Sequence, residues 1–143
     1  MSYKNRDNMK TLIISLLLML PLISNAQSLE WLTDKNFDQK LHEHDAFGED
    51  EANIVVIEFY AEFNKDNAFK NWAELKEVEF FRVNIADAPN IKKEYRVRMA
   101  PTLIIFKNGE KEAVFKAGLD LLCPVTLPEI RETIKEIKLS NQF

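Results

Sequence analysis

The chain has 143 residues, 46% apolar and 29% charged, which is the size and composition of one ordinary domain. Its formal charge of −4 argues against nucleic-acid binding, since phosphate contacts need a basic surface. It carries a single cysteine, Cys123, so on its own it cannot run a two-cysteine dithiol–disulfide exchange.

Residues 1–26 have the layout of a secretory signal peptide. Lys4, Arg6 and Lys10 are basic, Thr11 to Ile23 is an almost unbroken apolar run, and Ser24-Asn25-Ala26 supplies small residues for cleavage. Met9 would also serve as a start, because Lys10 alone gives a basic end. A membrane anchor is the competing reading. The run is shorter than the roughly 20 apolar residues a span needs, and it contains Pro21. The expected product is an exported domain, residues 27–143, periplasmic or extracellular, with no membrane contact after cleavage. The leader holds three basic residues and Asp7, so its removal leaves a charge of −6.

Along that domain, Leu29 to Leu32 reads as a short strand. A helix capped by Thr33 or Asp34 follows to about His42, with Phe37 and Leu41 on one face. His44 to Ala52 is acidic and turn-like. Asn53 to Glu62 is rich in β-branched residues and continuously apolar, which predicts a fully buried strand. Asn64 or Asp66 can cap the next helix, with Phe69, Trp72 and Ala73 at helical spacing. Glu79 to Ile85 is a strand and Pro89 to Tyr95 a short helix. Thr102 to Phe106 and Glu112 to Ala117 pair as a hairpin across Asn108-Gly109. Thr126-Leu127-Pro128-Glu129 is a capping box opening a last helix with Ile130, Ile134 and Ile137 as its stripe. The order β-α-β-α-β-α-β-β-α is α/β, a mixed central sheet flanked by helices on both faces.

Three stretches carry a family resemblance. They are Leu32-Thr33-Asp34-Lys35-Asn36-Phe37, Val56-Ile57-Glu58-Phe59-Tyr60-Ala61-Glu62-Phe63, and Met99-Ala100-Pro101-Thr102 running through Leu103-Ile104-Ile105-Phe106 to Lys107-Asn108-Gly109-Glu110. They resemble the first helix entry, the strand into the active site, and the proline loop with its hairpin in the thioredoxin family. The resemblance implies a thioredoxin-like domain without the Cys-x-x-Cys site, because Phe63-Asn64-Lys65-Asp66-Asn67 stands where that family has Trp-Cys-Gly-Pro-Cys. Asparagine has no ionisable sulfur to form a thiolate at a helix N-terminus. Asn64 suits a helix cap, accepting backbone amides.

The same resemblance implies that Pro101 follows a cis bond and that Glu58 and Arg82 form a buried ion pair. Here the acid would have no thiol to serve and would be structural. It also implies a peptide-binding groove of Phe63, Asn64, Asn67, Ala100, Pro101 and Gly118, with the backbone N–H and C=O of Ala100 free to pair with an extended segment.

The remaining candidates read as structural. His42 and His44, among Glu43, Asp45, Glu49 and Asp50, belong to a solvated acidic loop, and no metal or other cofactor is expected. Lys92, Lys93, Arg96 and Arg98 form a basic patch, a solvated helix face or a dock for an acidic partner. Cys123 reads as a buried or inert thiol, ahead of a bridge to a second copy of the chain. The expected function is a non-catalytic module binding a peptide or protein. Two alternatives stay open: a divergent thiol–disulfide protein using Cys123 with a partner's cysteine, and a structural subunit whose groove its own oligomer fills.

Overall fold

The computed structural model describes residues 28–44 and 52–140. The expected leader and Asp45, Glu49 and Asp50 lie outside the described residues.

Five strands form one sheet in the order β1-β3-β2-β4-β5: β1 (Glu30–Leu32), β2 (Ile54–Tyr60), β3 (Glu79–Asn84), β4 (Thr102–Lys107) and β5 (Glu110–Lys116). β1 and β2 run parallel to β3, while β4 is antiparallel to β2 and to β5, which makes the sheet mixed. Every residue of β2 and β4 is buried, as a continuous apolar run requires of strands covered on both faces. β5, at the edge, is largely exposed.

The two-residue period of a strand splits the core. Val55, Ile57 and Phe59 face one side and meet α1 (Phe37–Leu41) and α2 (Pro89–Glu94) through Phe37, Leu41, Ala88 and Ile91. Ile54 and Val56 face the other, against Ile130, Ile134 and Ile137 of α3 (Leu127–Leu139). Helices thus cover both faces, as expected.

The helix ends are set by side chains. Glu129 reaches back to accept from the backbone N–H and the hydroxyl of Thr126, both at 2.7 Å, so the capping box forms. At the other end of α3 the buried Lys107 donates from Nζ to the Ile137 carbonyl at 2.8 Å, in the last turn, and the Ser140 hydroxyl donates to the same carbonyl at 2.7 Å. Asp34 does cap a helix, but not the one that follows it. Its carboxylate accepts from the N–H groups of Asn90 and Ile91 in α2, at 3.2 and 2.9 Å. α1 instead starts after Asn36, whose side-chain oxygen accepts from the Thr33 N–H at 2.7 Å.

The hairpin turn is as the Asn-Gly pair predicts, with Asn108 and Gly109 at φ +50° and +79°. A Cβ on Gly109 would sit 2.1 Å from the His42 ring, so close approach as well as φ calls for glycine.

The helix expected after Asn64 is the main departure. Two short 3-10 segments, Glu62–Asn67 and Trp72–Glu74, stand in its place. Asn64, Asp66, Asn67 and Asn71 all have side chains that compete with helical backbone bonding. Asn64 sits at φ −120°, and Ala68 is extended with ψ 154°, which interrupts any helical run.

Candidate functional site

β2 delivers the chain to Ala61, and the first 3-10 segment then turns it across the loop before β4. The Ala100–Pro101 bond in that loop is cis. The Asn64 side chain joins the two. Its amide donates to the Ala100 carbonyl and to the Leu121 carbonyl, both at 2.8 Å, while its own oxygen accepts from the Asn67 amide at 2.8 Å. Both amide hydrogens are thus spent on backbone carbonyls. Asn64 therefore does not cap a helix by accepting amides. Nor is the Ala100 carbonyl free, since one of its lone pairs already holds Asn64.

The structure gathers most of the predicted groove residues. Asn64, Asn67 and Ala100 are linked directly, and the Pro101 carbonyl accepts from the Ala117 N–H at 3.1 Å. Gly118 accepts from the Leu121 N–H at 3.0 Å, closing the turn that presents the Leu121 carbonyl to Asn64. Leu121 is a participant that sequence reasoning missed. It lies at φ +57°, a region where glycine or asparagine would have been the visible signal. Phe63 projects outward, 78% exposed, and Leu119 and Leu122 in the facing turn are exposed as well, at 97% and 54%. The Asn64–Leu121 bond ties together the segments carrying these apolar side chains at the end of the sheet where β2 finishes.

Behind the turn lies the buried pair. Glu58 and Arg82 are register partners on β2 and β3, and the Glu58 side chain is fully buried. Arg82 donates from Nε to Glu58 Oε1 at 2.6 Å, and its Nη2 lies 2.6 Å from the same oxygen in the ion pair. The other carboxylate oxygen accepts from the Phe69 N–H at 2.6 Å, and Arg82 donates to the Phe69 carbonyl at 3.1 Å. Phe69 belongs to the irregular stretch between the two 3-10 segments, where no helix or strand supplies partners for its backbone. The ion pair supplies both. The guanidinium also sits 5.6 Å from the Trp31 ring centroid and 5.3 Å from that of Tyr60, a cation over an edge-to-face aromatic pair. Burial pushes the Glu58 carboxyl up, opposed by the Phe69 N–H and by Arg82.

Cys123 is half-buried against the core on the α3 side, and its thiol donates to the Val125 carbonyl at 3.4 Å. Burial raises its pKa, and the Glu58 charge adds to that against the Val125 bond. His44 pairs with Glu79 at 2.6 Å, across the start of β3. Among the described residues no group of three or more His, Cys, Asp or Glu is placed to hold a metal, and no helix is long and apolar enough to cross a membrane.

Known proteins resemble this chain in sequence and fold. The family model for thioredoxin matches residues 28–121. The chain is 34% identical to a thioredoxin of Rickettsia felis over 98 residues, 62% of this chain and 83% of the relative. It is 28% identical to a thioredoxin of Rickettsia bellii over 102 residues, 62% and 83% of the two chains. A crystal structure of Schistosoma mansoni thioredoxin superposes with a TM-score of 0.57 at 23% identity, covering 76% of this chain and 94% of that one. The mixed sheet, its flanking helices and the matched span together show that the chain belongs to the thioredoxin family.

Proposed function

We propose that this protein is an exported thioredoxin-family domain that binds a protein segment without carrying out dithiol chemistry. The observation that carries the reading is the Asn64 side chain. It stands at the turn after β2 and is committed to Ala100 and Leu121 by two hydrogen bonds, with Phe63 exposed beside it. A neutral amide so held cannot attack a disulfide. What it does is fix the geometry of an apolar edge made by Phe63, Leu119 and Leu122. Exposed large apolar side chains on segments tied together in this way are the kind of surface that takes a protein contact.

The partner's main contact is then through side chains at Phe63 rather than through strand pairing at the Ala100 carbonyl. Asn67, Pro101 and Gly118 support the edge from beneath. Export, to the periplasm or beyond the cell, rests on the leader-like layout of residues 1–26. Cys123 does not favour the thiol-exchange alternative, because burial raises its pKa and so disfavours the thiolate.

Two assays test the reading. The mature protein should not accelerate dithiothreitol-driven reduction of insulin above an inert control, and turnover abolished by Cys123→Ser would overturn the non-catalytic half. A photo-crosslinking residue at Phe63 should capture a partner in the native envelope fraction. Capture from Lys93 but not from Phe63 would overturn the binding half.

A further inference from the structure

The Phe63 surface continues into a basic cleft. A cavity of 320 Å³ has Phe63, Ile85 and Lys92 in its walls. Ile85 and Lys92 also line an adjoining cleft of 480 Å³, together with Lys93, Arg96 and Arg98. The two spaces meet at those shared residues, so the trough they make has an apolar part and a basic part side by side. Buried Val97 and the half-buried Ile85 give the basic part an apolar lining.

The four cations are concentrated there by a helix stop. The Val97 N–H bonds back to the Lys92 carbonyl at 2.9 Å, and the Arg96 N–H to the Lys93 carbonyl at 3.1 Å. This is the Schellman pattern, with Arg96 at φ +53° in the position that usually takes glycine. An arginine there holds a backbone conformation that L side chains rarely adopt. The turn sets Arg96 and Arg98 into the same cleft as Lys92 and Lys93 at the end of α2.

None of the four side chains makes a hydrogen bond or ion pair with a described residue, whereas those of Lys40, Lys65 and Arg82 each hold a carboxylate. Nearby Asp87 and Glu94 do not line the cleft. Glu62 lines the Phe63 cavity, but its carboxylate is engaged by the Tyr60 hydroxyl at 2.6 Å and Lys65 at 3.4 Å. Four uncompensated cations on a chain of net charge −4 are a local excess that a negatively charged partner would relieve.

We propose that the occupant of this trough is an acidic protein segment, with an apolar side chain against Phe63 and Ile85 and Asp or Glu carboxylates against Lys92, Lys93, Arg96 and Arg98. The proposal rests on the reading of the Phe63 edge as a partner site and names the chemistry of what binds there. Length and mixed character favour a peptide over a small anion, since the trough couples apolar wall to cationic wall. The acidic remainder of the chain disfavours a nucleic acid, whose long phosphate backbone would meet repulsion beyond the cleft.

The test uses fluorescein-labelled peptides and fluorescence anisotropy on the mature protein. One probe alternates Phe or Leu with Asp and Glu. A second replaces each Asp and Glu by Asn and Gln. The acidic probe should bind about tenfold more tightly than the neutral one, and should weaken by about as much in Lys93→Glu/Arg98→Glu or in high salt. Both substituted residues are exposed, so the variant keeps its fold. Phe63→Ala should weaken the acidic probe too. Equal binding of the two probes, binding of neither, or tighter binding of oligo-dT than of the acidic probe would overturn the inference. Loss on charge reversal without loss in Phe63→Ala would leave the acidic cleft standing and remove the Phe63 reading. Loss in Phe63→Ala without loss on charge reversal would do the opposite.

Discussion

Asn64 donates an amide hydrogen to the carbonyl of Ala100, the residue before the cis bond to Pro101, at 2.8 Å. The bond crosses 36 residues of sequence and ties the end of β2 to the start of β4. A second bond from the same nitrogen group reaches Leu121. One side chain thus holds three loops that strand pairing alone leaves unconnected.

Asn64→Asp tests this. The change keeps shape and volume but turns a double donor into an acceptor facing two carbonyl oxygens. We expect a loss of about 2–4 kcal/mol in urea unfolding, with Asn64→Ala at about 1–2 kcal/mol because it removes the bonds without adding repulsion. Equal stability of Asn64→Asp and the parent protein would show that the three loops do not depend on this amide.

The buried pair gives a second expectation. Removing one partner leaves an uncompensated charge, so Glu58→Ala should cost about 3–5 kcal/mol. If the pair served only itself, replacing both members by apolar residues would cost little. Here the Phe69 N–H and C=O are bonded to Glu58 and Arg82. We expect Glu58→Leu/Arg82→Leu to lose about 2–4 kcal/mol, because two buried backbone groups lose their partners. Hydrogen exchange at the Phe69 amide should lose protection in the double variant. A near-neutral double variant with Phe69 still protected would refute the stapling role.

That pair also shows what a sequence reveals and what it hides. Glu58 inside one apolar run and Arg82 inside another were legible as a pair only through the family resemblance of the strands that carry them. The sheet, the hairpin at Asn108-Gly109 and the α3 capping box were legible without any resemblance, because each is encoded by local periodicity or turn chemistry. The missing helix after Asn64 was not. Its residues Phe69, Trp72 and Ala73 have helical spacing, yet the backbone at Phe69 is claimed by a tertiary ion pair. Asp34 was readable as a cap, but the helix it caps lies 56 residues on. Leu121 carries no signal at all, since nothing in a leucine announces a left-handed turn or a shared carbonyl.

Acid titration should separate groups of opposite sign. Burial, opposed by Phe69 and Arg82, raises the Glu58 pKa in the folded state. Its contribution to stability is full below the unfolded pKa, near 4.3, and is lost as pH rises through the folded value. The backbone N–H and hydroxyl of Thr126 hold Glu129 down. Its contribution is present above the unfolded pKa and is lost as pH falls through the folded one. We expect the stability of the parent relative to Glu58→Gln to increase on acidification from neutrality. Relative to Glu129→Gln it should decrease. Urea midpoints across that pH range check both, and a pH-independent difference for Glu58→Gln would remove the assigned shift.

Cys123 supplies the last expectation. Its sulfur packs against the α3-side core and donates to Val125, and burial raises its pKa above that of an ordinary thiol. Only the thiolate reacts at a useful rate, so both access and ionisation hold it back. With Ellman's reagent at neutral pH we expect labelling at least about tenfold slower than that of free cysteine. The rate should climb with pH beyond the point where free cysteine levels off, because the folded-state thiol ionises later. Cys123→Ser should keep the same elution volume on gel filtration, with and without reductant, since a thiol facing its own core is not positioned to bridge two chains. Rapid labelling at neutral pH, or a dimer that disappears on reduction, would reassign Cys123 from packing to chemistry and return the thiol-exchange reading to the front.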